Sequence, residues 1–177
     1  MNNSIIRFSL LAFFLAALQI LVFNEVSLNA FVQPVIYPLL ILYLPYRMPH
    51  WLVMFIAFAY GFVIDVFSYT LAIHSAALVL MAFLRPYVLT LLNIRPKLST
   101  IQYSVHLRNT PRAKFLLYFI IMLMLHQLTF HALVIFSIDQ LFLILQRSLW
   151  NLLPSFLVML LFELFVYGFY KGEQEAA

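Results

Sequence analysis

The sequence predicts an all-α membrane protein: a bundle of six transmembrane helices with both termini in the cytoplasm. Three observations lead there. The 177-residue chain is 66% hydrophobic and 9% charged, with mean hydropathy +1.02, so it has too little polar surface to dissolve as a globular domain. Apolar stretches recur at about 5–23, 30–46, 51–67, 71–92, 115–136 and 141–167, most of them close to the ~20 residues that cross a hydrocarbon layer. The basic residues of the connecting segments alternate. Arg7, Arg47, the group Arg95, Lys97, Arg108, Arg112 and Lys114, and finally Lys171 occupy every second segment, while 24–29, 65–73 and 137–140 hold none. Lys and Arg are retained on the cytoplasmic side during insertion, so the alternation sets both the number and the direction of the spans.

Each element has its own justification. The first stretch has a basic flank at Arg7 and an apolar core over Phe8 to Phe23. No small-x-small site precedes Asn24, so an uncleaved span is expected rather than a signal peptide. The second is short and carries Pro34, Pro38 and Pro45, which predicts a span that either packs inside the bundle, where neighbours can satisfy the freed carbonyls, or is bent. The third and fourth are joined by a few residues around Tyr69, an antiparallel hairpin. Tyr43, Tyr46, Trp51, Tyr87, Trp150 and Tyr167 sit near span ends as interfacial anchors. The segment 93–114 is a cytoplasmic loop too short for a domain. The last stretch holds Arg147 and Pro154. It either starts near Leu149, behind an interfacial segment, or forms one long tilted helix. A single integral membrane domain over 1–177 is expected.

The pI of 9.5 would suggest nucleic acid in a soluble protein. Here the basic residues are spread over cytoplasmic flanks, where membrane lipids are the ordinary counterions, so no nucleic acid is expected. No cysteine is present, which leaves no thiolate metal site. His126 and His131 are five apart, roughly 140° around a helix, and cannot share one metal. There is no metalloprotease helix motif, serine-hydrolase elbow, phosphate loop or paired carboxylate on one helix face. The chain is expected to be neither an enzyme nor a cofactor protein.

Ionisable groups within spans cost several kcal/mol each and seek partners. Depth along the helices allows Arg85 to meet Glu163 near the inner face, or to snorkel to the headgroups instead. Asp65 and Arg147 both lie near the outer face and can pair. The histidines, His74 among them, read as helix-packing hydrogen bonders.

One run stands out: Gly61-x-x-x-Asp65-x-x-Ser68, continued by Leu71-Ala72-Ile73-His74-Ser75-Ala76. Gly61 lies one turn before Asp65 on the same face and allows a close helix approach beside a carboxylate. Asp65 and Ser68 can cap the hairpin, with Asp65 accepting from turn amides. Asn at position 65 should then substitute well, and Ala should cost about 0.5–2 kcal/mol. The other reading presents the carboxylate to a partner at the outer surface.

This run, with Phe83-Leu84-Arg85-Pro86 near the end of the fourth span, resembles the rod shape-determining MreD family. The small size and six-span plan extend the likeness over nearly the whole chain. The family usually has glycine at the position of Ala72. The resemblance implies a non-enzymatic scaffold of the bacterial cell-elongation machinery in the cytoplasmic membrane. Its implied partners are a bitopic MreC-like protein, MreB, a RodA-type glycosyltransferase and a penicillin-binding transpeptidase. It also implies a fold similar to the substrate-binding subunits of energy-coupling-factor transporters. A small-solute binding subunit of a transporter is therefore the rival function. Few small-xxx-small pairs and nineteen phenylalanines favour a filled scaffold over a solute pocket.

Overall fold

The computed structural model describes residues 2–25, 32–94, 104–107 and 110–175. Arg95, Lys97 and Arg108 of the basic loop lie outside the described residues, as does most of the first loop. The architecture is all-helical. Helix α1 (Asn2–Leu18) runs into a π-helical turn over Gln19–Phe23. After an extended stretch comes the short α2 (Leu39–Tyr43), followed by α3 (His50–Ser68), α4 (Ile73–Leu91), α5 (Arg112–Ile135) and α6 (Leu141–Glu175). Four of these, α3 to α6, are long and apolar enough to cross a membrane, and Phe8–Phe23 is a shorter apolar helix.

The long helices pack in sequence order, α3 on α4, α4 on α5 and α5 on α6. Short connections make α3–α4 and α5–α6 antiparallel neighbours, while the longer loop after Leu91 joins α4 to α5. Half of the apolar window of α4 is buried against 22% for that of α6, so α4 is central and α6 peripheral. Large apolar side chains cover the outside, among them Phe13, Phe55, Phe67, Leu153 and Phe165. Such a surface suits lipid.

The element expected over 30–46 is not a spanning helix. Residues 33–36 are extended, a turn follows at Tyr37 and Pro38, and only five residues are helical. Proline explains this directly. Pro34 and Pro38 supply no backbone N–H, and a proline disfavours helical geometry at the residue before it, so with two prolines four residues apart the chain stays open until α2 starts just after Pro38. The segment is nonetheless the innermost part of the fold. Its valine, isoleucine, leucine and tyrosine side chains from Val35 to Leu44 are at most 6% exposed, and α2 touches α1 and α4.

α6 is one uninterrupted helix from Leu141, so residues 141–149 continue the same helix as the apolar stretch that follows. Pro154 sits inside it without ending it.

The α3–α4 crossing is close, backbone against backbone at Gly61 and Ser75. A Cβ placed on Gly61 would lie 2.5 Å from Ser75 Cα and 2.8 Å from its nitrogen, so only glycine allows this approach. The connecting turn needs two left-handed residues, Tyr69 (φ 54°) and Ala72 (φ 57°). The second is a position that favours glycine.

Two substitutions test this reading through thermal unfolding in detergent. Gly61→Ala should destabilise by about 1–3 kcal/mol, since backbone cannot move aside for the methyl group. Ala72→Gly should stabilise by about 1 kcal/mol by relieving the left-handed strain. An unchanged midpoint in Gly61→Ala would contradict the close crossing.

Candidate functional site

The polar residues of this apolar chain gather into two buried clusters at opposite ends of the bundle, with the extended segment running between them. At the hairpin end the Asp65 carboxylate is 2% exposed and receives five hydrogen bonds. Oδ1 accepts from Thr70 Oγ1 (2.6 Å), the His74 backbone N–H (3.0 Å) and His74 Nδ1 (2.9 Å). Oδ2 accepts from the Ser75 N–H (2.9 Å) and Ser75 Oγ (2.5 Å). His74 and Ser75 open α4, so the side chain of α3 caps the first turn of the next helix, where N–H groups lack intrahelical acceptors. The Asp65 carbonyl meanwhile accepts from the N–H of Tyr69 and of Thr70, which ends α3. One residue closes one helix and opens the next.

Gly61 makes this reach possible by letting α3 lie against Ser75. The structure brings Gly61, Asp65 and His74 together. Ser68 takes a different role from the expected hairpin cap: its Oγ accepts from Asn24 Nδ2 (2.9 Å) and ties the end of the first helix to α3. The expected Asp65–Arg147 pair does not form. The donors to Asp65 all come from its own hairpin, and they already exceed the roughly four lone-pair sites of a carboxylate without any help from Arg147.

Along the extended segment, side chains replace the missing helix hydrogen bonds. The Gln33 N–H donates to Asn151 Oδ1 (2.7 Å), that of Val35 to Ser155 Oγ (3.0 Å) and that of Ile36 to Gln19 Oε1 (2.9 Å). Gln19 Nε2 donates to Asn24 Oδ1 (2.9 Å) and lies 3.5 Å from the Pro34 carbonyl. Gln127 Nε2 in turn donates to Ser155 Oγ (3.2 Å). Tyr37, fully buried, places its hydroxyl 2.7 Å from His126 Nε2. His131 engages the Gln127 carbonyl and Asn151, so the two histidines serve separate contacts. No group of three or more histidines and carboxylates is spaced to hold a metal among the described residues.

At the other end Arg85 and Glu163 are both nearly buried but do not pair, and Arg85 does not snorkel. Arg85 donates to the Leu44 carbonyl just past α2 and, through Nε, to Tyr118 Oη (3.1 Å). Glu163 accepts from Tyr43 Oη and from the Leu107 N–H (2.8 Å), with His106 Nδ1 at 3.5 Å. The reason is α2. Its C-terminal carbonyls need a donor and attract a cation, so Arg85 serves them while Glu163 holds Tyr43 of the same helix.

Sequence reasoning passed over Gln19, Asn24, Gln127, Asn151 and Ser155. A signal was present: Ser148, Asn151 and Ser155 fall on one face of α6, as Gln127 and His131 do on α5.

The geometry revises the expectation for Asp65. Both carboxylate oxygens act as acceptors, so an amide group would turn an N–H toward the Ser75 N–H. Asp65→Asn should therefore cost about 1–3 kcal/mol and approach Asp65→Ala in damage, read as thermal midpoint and as protein level in membranes. Wild-type behaviour of the Asn variant would refute the double-acceptor role. Ser155→Ala should lose about 1–3 kcal/mol by stranding the Val35 N–H, and hydrogen exchange at Val35 should quicken. No protein-family model, curated protein or solved structure matches the chain.

Proposed function

We propose that the chain is a non-enzymatic scaffold of the bacterial cytoplasmic membrane, an MreD-like member of the complex that directs cell elongation and peptidoglycan synthesis. It acts with a bitopic MreC-like protein, and through it with MreB, the RodA-type glycosyltransferase and the penicillin-binding transpeptidase. The chain crosses the membrane six times with both ends cytoplasmic, the broken segment around α2 making the second crossing. The alternation of Lys and Arg between connecting segments supports this topology.

The observation that carries the reading is the hairpin. Gly61, Asp65 and His74, on which the family resemblance rests, are the residues that lock α3 to α4. The other buried polar groups support it too, since they hold backbone in place: Asn151, Ser155, Gln19 and Arg85 each bond the segment between Gln33 and Leu44. A rigid body with an apolar exterior fits a partner-binding role.

Mild-detergent extraction from native membranes should recover an MreC-like partner with the chain. Recovery of transporter ATPases in place of elongation proteins would favour a solute-binding subunit and sink the scaffold reading. Reporter fusions after Lys114 and Lys171 should read cytoplasmic and one near Ser137 external. An external signal after Lys114 would overturn the six-crossing topology.

A further inference from the structure

A cleft of about 130 Å³ opens at the end of the bundle that carries Arg47 and Lys114, between the first turn of α3 and the C-terminal half of α4. This is well above the ~10–15 Å³ that admits one water. Its lining includes Tyr46, His50, Arg85 and Pro86. Three features of this lining favour negative charge. Arg85 is 3% exposed, and no carboxylate lies within ion-pair distance of it among the described residues. Its bonds to the Leu44 carbonyl and Tyr118 hydroxyl satisfy N–H groups without neutralising the cation. His50 Nε2 is buried and has no hydrogen-bond partner among the described residues. His50 also begins α3, a 19-residue helix whose N-terminus has no side-chain cap and carries a partial positive charge beside the cleft lining.

We propose that this cleft binds a phosphoryl anion through Arg85, His50 and the start of α3, and that the anion is the phosphate of a membrane lipid. A lipid suits the surroundings. Phe83 packs on the His50 ring (5.6 Å between centroids) and is 43% exposed, and Trp51 and Tyr87, each next in sequence to a lining residue, are exposed as well. These rings give acyl chains an apolar wall beside a cleft whose polar groups are Arg85, His50 and Tyr46.

The test uses the full chain purified in neutral detergent, with thermal unfolding read against added phosphatidylglycerol, phosphatidylcholine or inorganic phosphate. Phosphatidylglycerol should raise the midpoint in a saturable way, and phosphatidylcholine should raise it far less. His50→Leu, which leaves the Arg85 contacts with Leu44 and Tyr118 in place, should weaken the apparent phosphatidylglycerol affinity about tenfold, the loss expected for one hydrogen bond to a charged group. Arg85→Gln should abolish the shift if it folds, and His50→Leu alone decides the matter if it does not. Equal shifts with the two lipids, or an unchanged affinity in His50→Leu, would overturn the site. Saturation by millimolar inorganic phosphate, with competition against the lipid, would overturn the lipid assignment and make free phosphate the ligand of the site.

Discussion

Backbone that leaves a helix inside an apolar medium must find every hydrogen bond elsewhere, and the rest of this fold depends on how the segment from Gln33 to Leu44 meets that requirement. In a bilayer no water is available to do so, and each unsatisfied N–H or C=O costs several kcal/mol. The chain reduces the demand with Pro34 and Pro38, which have no N–H to satisfy. It serves further backbone groups with Asn151, Ser155 and Gln19 along the extended part and with Arg85 past α2. These residues come from the first helix, α4 and α6, so one short segment joins elements far apart in sequence.

The segment also accounts for charges that would otherwise be hard to place. An arginine and a glutamate buried in apolar helices at similar depth invite an ion pair. Here each is turned to a different group of the same short helix, Arg85 to the Leu44 carbonyl and Glu163 to the Tyr43 hydroxyl. Glu163 additionally holds the Leu107 N–H, so the described part of the 93–114 loop is anchored to the bundle floor. The hairpin obeys the same rule at the opposite end. Asp65 satisfies the amide groups that begin α4, and its own carbonyl closes α3. Asp65, Arg85, Gln19, Asn151 and Ser155 are thus matched to helix ends and breaks, where backbone groups lack partners.

Much of the architecture was legible in the chain itself, because long apolar runs leave few alternatives to helix in lipid. The apolar stretches mark the positions of α3 to α6 to within a few residues at most ends, and the three prolines single out 30–46 as irregular. The spacing of Gly61 and Asp65 points to a close crossing beside a cap. These features are local: helix period, proline chemistry and the size of one glycine.

Partnerships were not legible, since hydropathy and helical spacing constrain depth and face but not which groups meet. Arg85 and Glu163 share a depth yet belong to different contacts, and Ser68 bonds Asn24, 44 residues away, rather than its own hairpin. By itself the sequence determined an apolar helical bundle, its long helices and the Gly61–Asp65 hairpin. Only the tertiary structure decided that the broken segment lies at the centre, and with it the partners of the buried polar residues. The physical reason is that a hydrogen bond in a dry interior goes to whichever orphaned group the packing brings within about 3 Å, and packing is a property of all the helices together.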